Sequence, residues 1–304
     1  LRGIVQRVFS FPVPVVSVTP GMSVLELYHG PSASFKDFGA RFLAELLGYF
    51  ARGEDREWTV LVATSGDTGS AVAQGFYGVP GVRVIILYPK GRVSALQEAQ
   101  LTTLGGNVTA LEVDGVFDDC QVLVKAAFSD TDLRQALSFT SANSISIGRL
   151  FPQMVYYAHA WFEMGSPVDL LVTVPSGNFG NLTAGVMASR MGLPVAFLSA
   201  MNANDVVLEY LESGTFTPRP SIATLSNAMD VGNPSNFARL LDLCDGDVDK
   251  MRKLLRAASV TDEDTRATIA SVFQKTGYML DPHGAVGVTA AERIRGERSA
   301  LVLE

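Results

Sequence analysis

Lys36 is the residue of this chain with the clearest chemical potential. It closes the polar stretch His29-Gly-Pro-Ser-Ala-Ser-Phe-Lys36-Asp37 and precedes the apolar run from Phe38 to Tyr49, which places it at the N-terminus of the helix that run predicts. A cation there opposes the helix macrodipole, so the position favours the neutral, nucleophilic amine of a Schiff-base lysine. From position alone, a surface ion pair with Asp37 or Glu26 is the simpler reading. Two Gly-rich turns offer complementary chemistry: Ser65-Gly66-Asp67-Thr68-Gly69 and Ser176-Gly177-Asn178-Phe179-Gly180-Asn181. Each follows a strand-like run and opens a helix. Glycine removes the Cβ that would hold an anion away from backbone N–H groups, and the helix N-terminus adds partial positive charge. Either turn can therefore cradle a phosphate or carboxylate, although βα turns also carry glycine for geometry alone.

Other chemistries are poorly served. Two cysteines, Cys120 and Cys244, and three histidines, His29, His159 and His283, are scattered without the spacing of a metal site or disulfide framework; no metal is expected. The second turn lacks a full GxGxxG, and no GxxxxGK[ST] or GxSxG occurs, which weakens the NTPase, dehydrogenase and α/β-hydrolase readings. With 24 Lys+Arg against 31 Asp+Glu, the net charge of −7 disfavours nucleic acid as a partner. No apolar run approaches a membrane span, and no secretory leader is visible at the start, so a cytoplasmic location is expected. The acidic cluster Asp242 to Asp249 lacks EF-hand spacing and reads as a solvated turn between helices.

The elements that must position these residues alternate. Strands are predicted at Thr59–Ala63, Val82–Tyr88, Val108–Val113, Asp169–Val174 and Val195–Ala200, with helices between them. Ser94 and Gln97 have capping-box spacing at the start of a helix that stops before Gly105-Gly106. From Ser235 to Lys275 the pattern is helical and charged, with a helix start at Thr261 and a stop at Gly277. Repeated βα alternation predicts an α/β fold with mainly parallel sheets covered on both faces. The 304 residues, 47% apolar, suffice for about two domains.

Five motifs appear in one order: His29 to Asp37, Ala63 to Gly69, Ser141-Ala-Asn-Ser144 with Arg149, Val174 to Gly180, and Leu225-Ser-Asn-Ala-Met-Asp230. Together they resemble the threonine synthase family of fold-type II pyridoxal-phosphate enzymes, from about Phe11 to the end of the chain. The resemblance implies two three-layer α/β/α domains: a large one from residues 1–57 plus 165–304, and a smaller one, 58–164, inserted between, with the cofactor in the cleft. It implies pyridoxal 5'-phosphate held by Lys36, with Ser176, Gly177, Asn178, Phe179, Gly180 and Asn181 cradling the cofactor phosphate and Asp67 near the ring 3'-oxygen, where many fold-type II enzymes have Asn. Thr64, Ser65, Gly66 and Thr68 would embrace the substrate α-carboxylate, while Asn143, Ser144 and Arg149 would hold the substrate phosphate. The implied reaction converts O-phospho-L-homoserine and water to L-threonine and phosphate, the last step of threonine biosynthesis, with Lys36 moving the protons. The residue that holds the pyridine nitrogen is expected in a segment after the strand Ala300–Leu303, and both ends are expected to continue in family members.

Rival readings are a phospho-lyase or serine/threonine dehydratase of the same fold, a non-catalytic phosphometabolite-binding protein, and a nucleotide-dependent oxidoreductase. Asn143 and Ser144 also have the residue types and position of caps for the helix containing Arg149. Tyr156, Tyr157, Trp161 and Phe162 have the spacing of core residues. His29 and His283 receive no role, and the polar stretch Leu225 to Asp230 is expected to line the site without a step of its own.

Overall fold

The computed structural model describes residues 1–53, 56–64, 66–144 and 146–304. Among them are ten strands: β1 (Val15–Thr19), β2 (Met22–Leu25), β3 (Trp58–Ala63), β4 (Val82–Pro89), β5 (Val108–Val113), β6 (Ser138–Thr140), β7 (Leu170–Pro175), β8 (Val195–Met201), β9 (Leu255–Ser259) and β10 (Ser299–Leu303). They form a four-stranded sheet of order β5-β4-β3-β6 and a six-stranded sheet of order β1-β2-β10-β7-β8-β9. All pairings are parallel except that of β1 with β2, which are antiparallel. No described helix is long and apolar enough to cross a membrane.

The chain divides into two compact units, Leu1–Pro12 with Tyr28–Pro152, and Val13–Leu27 with Gln153–Glu304. These boundaries differ from the expected ones at residues 57/58 and 164/165. Residues 28–57 group with the four-stranded sheet because the helix Lys36–Phe50 buries Ala40 and Ala44 in the same core as Val60, Val62, Val84 and Ile86. Residues between these in the strands, Leu61, Ala63 and Leu87, point to the other face and pack on Cys120 and Val124 of the helix Phe117–Ser129. This period-2 alternation sandwiches the sheet between helices.

In the second unit the helix Pro282–Ile294 lies across β2, β7, β8 and β10, burying Val286, Val288 and Ala290. A Cβ on Gly287 would collide with Val302 and crowd Pro175, so that glycine sets how closely helix and sheet approach. β9 departs from the helical reading of Ser235 to Lys275. Leu-Arg-Ala-Ala-Ser has little β-propensity, and its extended state comes from the free edge of β8, which it pairs in parallel. The capping box at Ser94 and Gln97, the cap at Thr261 and the left-handed Gly277 match the sequence expectation.

Each sheet has one topological switch point. β3, β4 and β5 run outward in sequence order, and β6 returns to the other side of β3; β7, β8 and β9 do the same, with β10 on the other side of β7. Crevices for ligands open beyond the carboxyl ends of strands at such points. The two Gly-rich turns leave β3 and β7, the first strand of each series.

At the end of β10, Glu304 is held among Asp281, Tyr278 and Glu26: its carboxylate accepts from the Asp281 N–H at 2.8 Å and the Tyr278 hydroxyl at 2.7 Å, and that hydroxyl also lies 2.9 Å from Glu26 Oε1. Burial, above all, pushes the Glu304 carboxyl up to about 7. The folded state then binds this proton more tightly than the unfolded chain. Its stabilising effect is complete below the ordinary carboxylate range and is lost as pH rises through about 7. Urea unfolding should therefore show stability falling between about pH 4.5 and 7, by up to about 1.4 kcal/mol per pH unit for one proton, and Glu304→Gln should lack that component.

Candidate active site

In the first unit, Lys36 and Asp67 each occupy the first position of a helix, Lys36–Phe50 and Asp67–Phe76. The Lys36 Nζ donates to Asp67 Oδ2 at 2.9 Å, with the lysine side chain 16% exposed. Asp67, and neither Asp37 nor Glu26, is the lysine's ion-pair partner, and its charge offsets the unfavourable field of the helix N-terminus that the sequence position suggested. Asp37 turns the other way: it is buried, accepts from the Ser32 N–H at 2.9 Å, and is packed so tightly on Gly30 that no side chain fits there. Burial raises its carboxyl above the usual range, with the Ser32 hydrogen bond acting against it. Ser34 accepts from the Lys36 N–H at 3.3 Å, so the turn before the lysine is held by its own serines.

The turn after β3 is knotted around one hydroxyl. Thr64 Oγ1 accepts from the N–H groups of Gly66 at 3.0 Å and Gly69 at 2.8 Å and donates to the Gly66 carbonyl at 3.1 Å. Gly66 has φ +144°, accessible to glycine and costly for other residues. Thr68 is half-buried on the next helical position; Ser65 lies outside the described residues. Gln97, to which sequence reasoning gave only a capping role, donates to Asp67 Oδ1 at 2.7 Å.

Asn143, Ser144 and Arg149 follow β6, which pairs with β3 in parallel, so they leave the same sheet edge as Thr64. The N-cap of the helix Ile147–Leu150 is Ser146, without a side-chain bond; Asn143 and Ser144 are not its caps. The Asn143 N–H donates to Ser141 Oγ at 3.2 Å, while its Oδ1 is buried with no hydrogen-bond partner. Arg149 is 2% exposed and donates to the Ala142 carbonyl at 2.8 Å. Burial lowers its guanidinium to about 10, so it stays charged at neutral pH. Its backbone lies against Gly39, where a Cβ would meet the Arg149 carbonyl at 2.6 Å. The lysine helix and the Arg149 segment are thereby locked together.

In the second unit, the turn after β7 presents backbone. Ser176 spends its hydroxyl on the Val174 carbonyl, 2.8 Å, and its N–H on the Ala200 carbonyl, 2.8 Å. Asn178 Oδ1 accepts from the Ser235 N–H at 2.6 Å and hydroxyl at 2.9 Å. Asn181 Oδ1 accepts from Tyr156 at 2.7 Å and Tyr157 at 2.6 Å, and burial holds both tyrosines well above their ordinary range, as neutral donors. Phe179 is left-handed at φ +61°, and the helix Gly180–Arg190 begins after it with no side-chain cap. Phe179 therefore offers no side-chain acceptor to the first N–H groups of that helix, while the Asn178 and Asn181 side chains brace the turn.

Tyr156 and Tyr157 are core, as their spacing suggested, but Phe162 of the same cluster is 67% exposed. The stretch Leu225–Asp230 has a bracing role. Asp230 Oδ1 accepts from Asn202, Asn204 and Thr224 at 2.9, 3.1 and 2.7 Å, and Met229 is pressed on Gly177, whose Cβ would lie 2.6 Å from the Met229 Cα. His283 joins this support: its Nδ1 lies 2.8 Å from Asp281, and its Nε2 accepts from the Ala228 N–H at 3.2 Å. No short motif announces Ser235, Asn202 or Asn204, because their partners lie 57, 28 and 26 residues away.

Comparison with known proteins bears on what this arrangement serves. Residues 23–303 match the family described as pyridoxal-phosphate dependent enzyme. Threonine synthase of Serratia marcescens is 49% identical over 95% of this chain and 67% of its own length, and that of Escherichia coli is 48% identical over 94% and 67%. The chain thus spans about two thirds of these relatives. The crystal structure of pyridoxal-phosphate-bound threonine synthase from Brucella melitensis superposes with a TM-score of 0.94, at 38% identity, covering 99% of this chain and 72% of that one. The chain belongs to the threonine synthase family of pyridoxal-phosphate dependent enzymes.

The residues present suit the cofactor of the threonine synthase family. An anionic phosphate matches the uncapped N-terminus of Gly180–Arg190, reached through a turn whose glycine admits no side chain. A carbonyl group matches the Lys36 amine, held at a helix start by a single carboxylate oxygen. Gly177→Ala should push Met229 and the turn apart, weakening pyridoxal-phosphate affinity by about tenfold or more. Titration of the chain with pyridoxal phosphate, followed by absorbance, checks this, and unfolding curves show whether the fold is retained.

Proposed function

We propose that this protein converts O-phospho-L-homoserine and water to L-threonine and phosphate, with pyridoxal phosphate held by Lys36. The observation that carries the reading is the Lys36–Asp67 pair at 2.9 Å beside the Thr64-centred turn, in a chain 49% identical to a threonine synthase. When bound, pyridoxal phosphate supplies the electron sink that makes protons at the substrate Cα and Cβ removable.

The remaining tasks fall to the chain. The backbone of Gly177 to Asn181 would bind the cofactor phosphate, and Asn178 and Asn181 keep that backbone in place through Ser235, Tyr156 and Tyr157. Ser176 acts by tying the turn to β8. The Lys36 Nζ takes the proton from Cα and then from Cβ of the substrate, and returns protons as the product forms. Asp67, 2.9 Å from that nitrogen, would steady whichever partner carries the proton. The turn of Thr64, Ser65, Gly66 and Thr68 receives the substrate carboxylate.

Arg149, with Asn143 and Ser144, grips the substrate phosphate and holds it at a distance from the lysine, so that the leaving group departs along a fixed direction. The buried, charged guanidinium and the buried Asn143 Oδ1 without a partner favour an occupant able to meet both. A phosphate monoester, with acceptor oxygens and a protonatable one, meets that demand. A cytoplasmic setting accords with the free thiols of Cys120 and Cys244.

Two measurements test the reading. Lys36→Ala should bind pyridoxal phosphate without the visible absorbance band of the wild-type complex and form no threonine from phosphohomoserine; a wild-type band in that variant eliminates Lys36 as the anchor. Arg149→Gln should lose about 10² or more in kcat/KM, the equivalent of a charge-assisted contact of about 3 kcal/mol, and product analysis separates threonine from the 2-oxobutyrate of a lyase or dehydratase.

A further inference from the structure

We propose that Gln97 is a positioning residue of this site, fixing the Asp67 carboxylate against the Lys36 nitrogen from the start of the helix Ala95–Thr102. Asp67 is held on both oxygens: Lys36 Nζ lies 2.9 Å from Oδ2 and Gln97 Nε2 lies 2.7 Å from Oδ1. The orientation of the glutamine amide is dictated by its other end. Gln97 Oε1 accepts the Ser94 N–H at 3.0 Å, and Ser94 Oγ accepts the Gln97 N–H at 3.2 Å, a reciprocal capping box. With the oxygen committed to a backbone donor, Nε2 is left to face Asp67, and an N–H donor is satisfied by the ionised carboxylate.

The approach is also enforced sterically. A Cβ at Gly66 would lie 2.5 Å from Gln97 Nε2, so the glycine of the turn after β3 makes room for this amide. Gln97 therefore touches the turn on one side and the carboxylate on the other, while contributing no group to the substrate itself. It holds Asp67 in one rotamer and favours its charged state beside the lysine nitrogen. The proposal rests on Lys36 as the cofactor-bearing amine.

The test compares Gln97→Leu and Gln97→Glu holoenzymes by the pH at which the visible band of bound pyridoxal phosphate is half lost. Glutamate keeps the capping box but replaces the donor with a second negative charge; leucine removes the donor and the cap together. The midpoint should fall by about half a pH unit or more in Gln97→Leu and rise by a similar amount in Gln97→Glu, since charge beside the lysine nitrogen sets its proton affinity. Ser94→Ala removes the cap and leaves the amide, so a role in helix capping alone predicts the same shift in Ser94→Ala as in Gln97→Leu; such equal shifts, or midpoints unchanged in both Gln97 variants, overturn the proposal. Where a variant retains no cofactor, acetylation of Lys36 relative to Lys125 in the full chain is compared instead. Gln97→Leu should then speed Lys36 labelling about threefold or more as its partner loosens, and an unchanged ratio overturns the proposal. Loss of the wild-type band in Lys36→Ala tests the underlying assignment separately, so the two failures are distinguishable.

Discussion

Two helices start with residues of opposite charge, Lys36 and Asp67, and the 2.9 Å contact between them ties the first-unit site together. A carboxylate at a helix N-terminus is favourable, and an ammonium there is not. Pairing them lets one unfavourable placement be tolerated because its neighbour is favourable, and it brings an amine to a position that solvent-exposed lysines do not take up. The surrounding residues protect this pair: Thr64 knots the turn that presents Asp67, Ser34 steadies the backbone at Lys36, and Gln97 holds the second carboxylate oxygen.

The two units use one topological device. In each sheet a series of parallel strands runs outward, a later strand returns to the far side of the first, and the Gly-rich turn leaves that first strand. In one unit the turn carries a charged side chain. In the other it carries backbone donors, and its side chains are turned away to brace it. That difference follows from the residues after the strands: Asp67 stands at the first helical position, whereas Gly180 stands there in the second turn and leaves the helix end open.

Bracing accounts for the polar network beside the second turn. Asp230, Asn202, Asn204 and Thr224 satisfy one another, and their network keeps Met229 against Gly177. Such a network is stiff because every missed bond in a buried site is expensive. The Leu225–Asp230 stretch was conspicuous in the sequence for its polarity, and the hydrogen bonds show that its polarity serves position.

Local rules were enough for much of this chain. Hydrophobic runs of strand length, the Ser94–Gln97 box, the Thr261 cap and the Gly277 stop depend on residues within a few positions of one another, and each is visible in the amino-acid order. Lys36 and the two glycine turns were legible for the same reason, since a helix start and a Cβ-free bend are local demands. Long-range pairing decided the rest. β9 is a strand because β8 offers an edge, residues 28–57 belong with the four-stranded sheet because Ala40 and Ala44 fill its core, and Gln97 becomes part of the site because folding brings it 2.7 Å from a residue 30 positions away. Propensity cannot encode these outcomes, because the energy that selects them comes from contacts that exist only after the chain has folded.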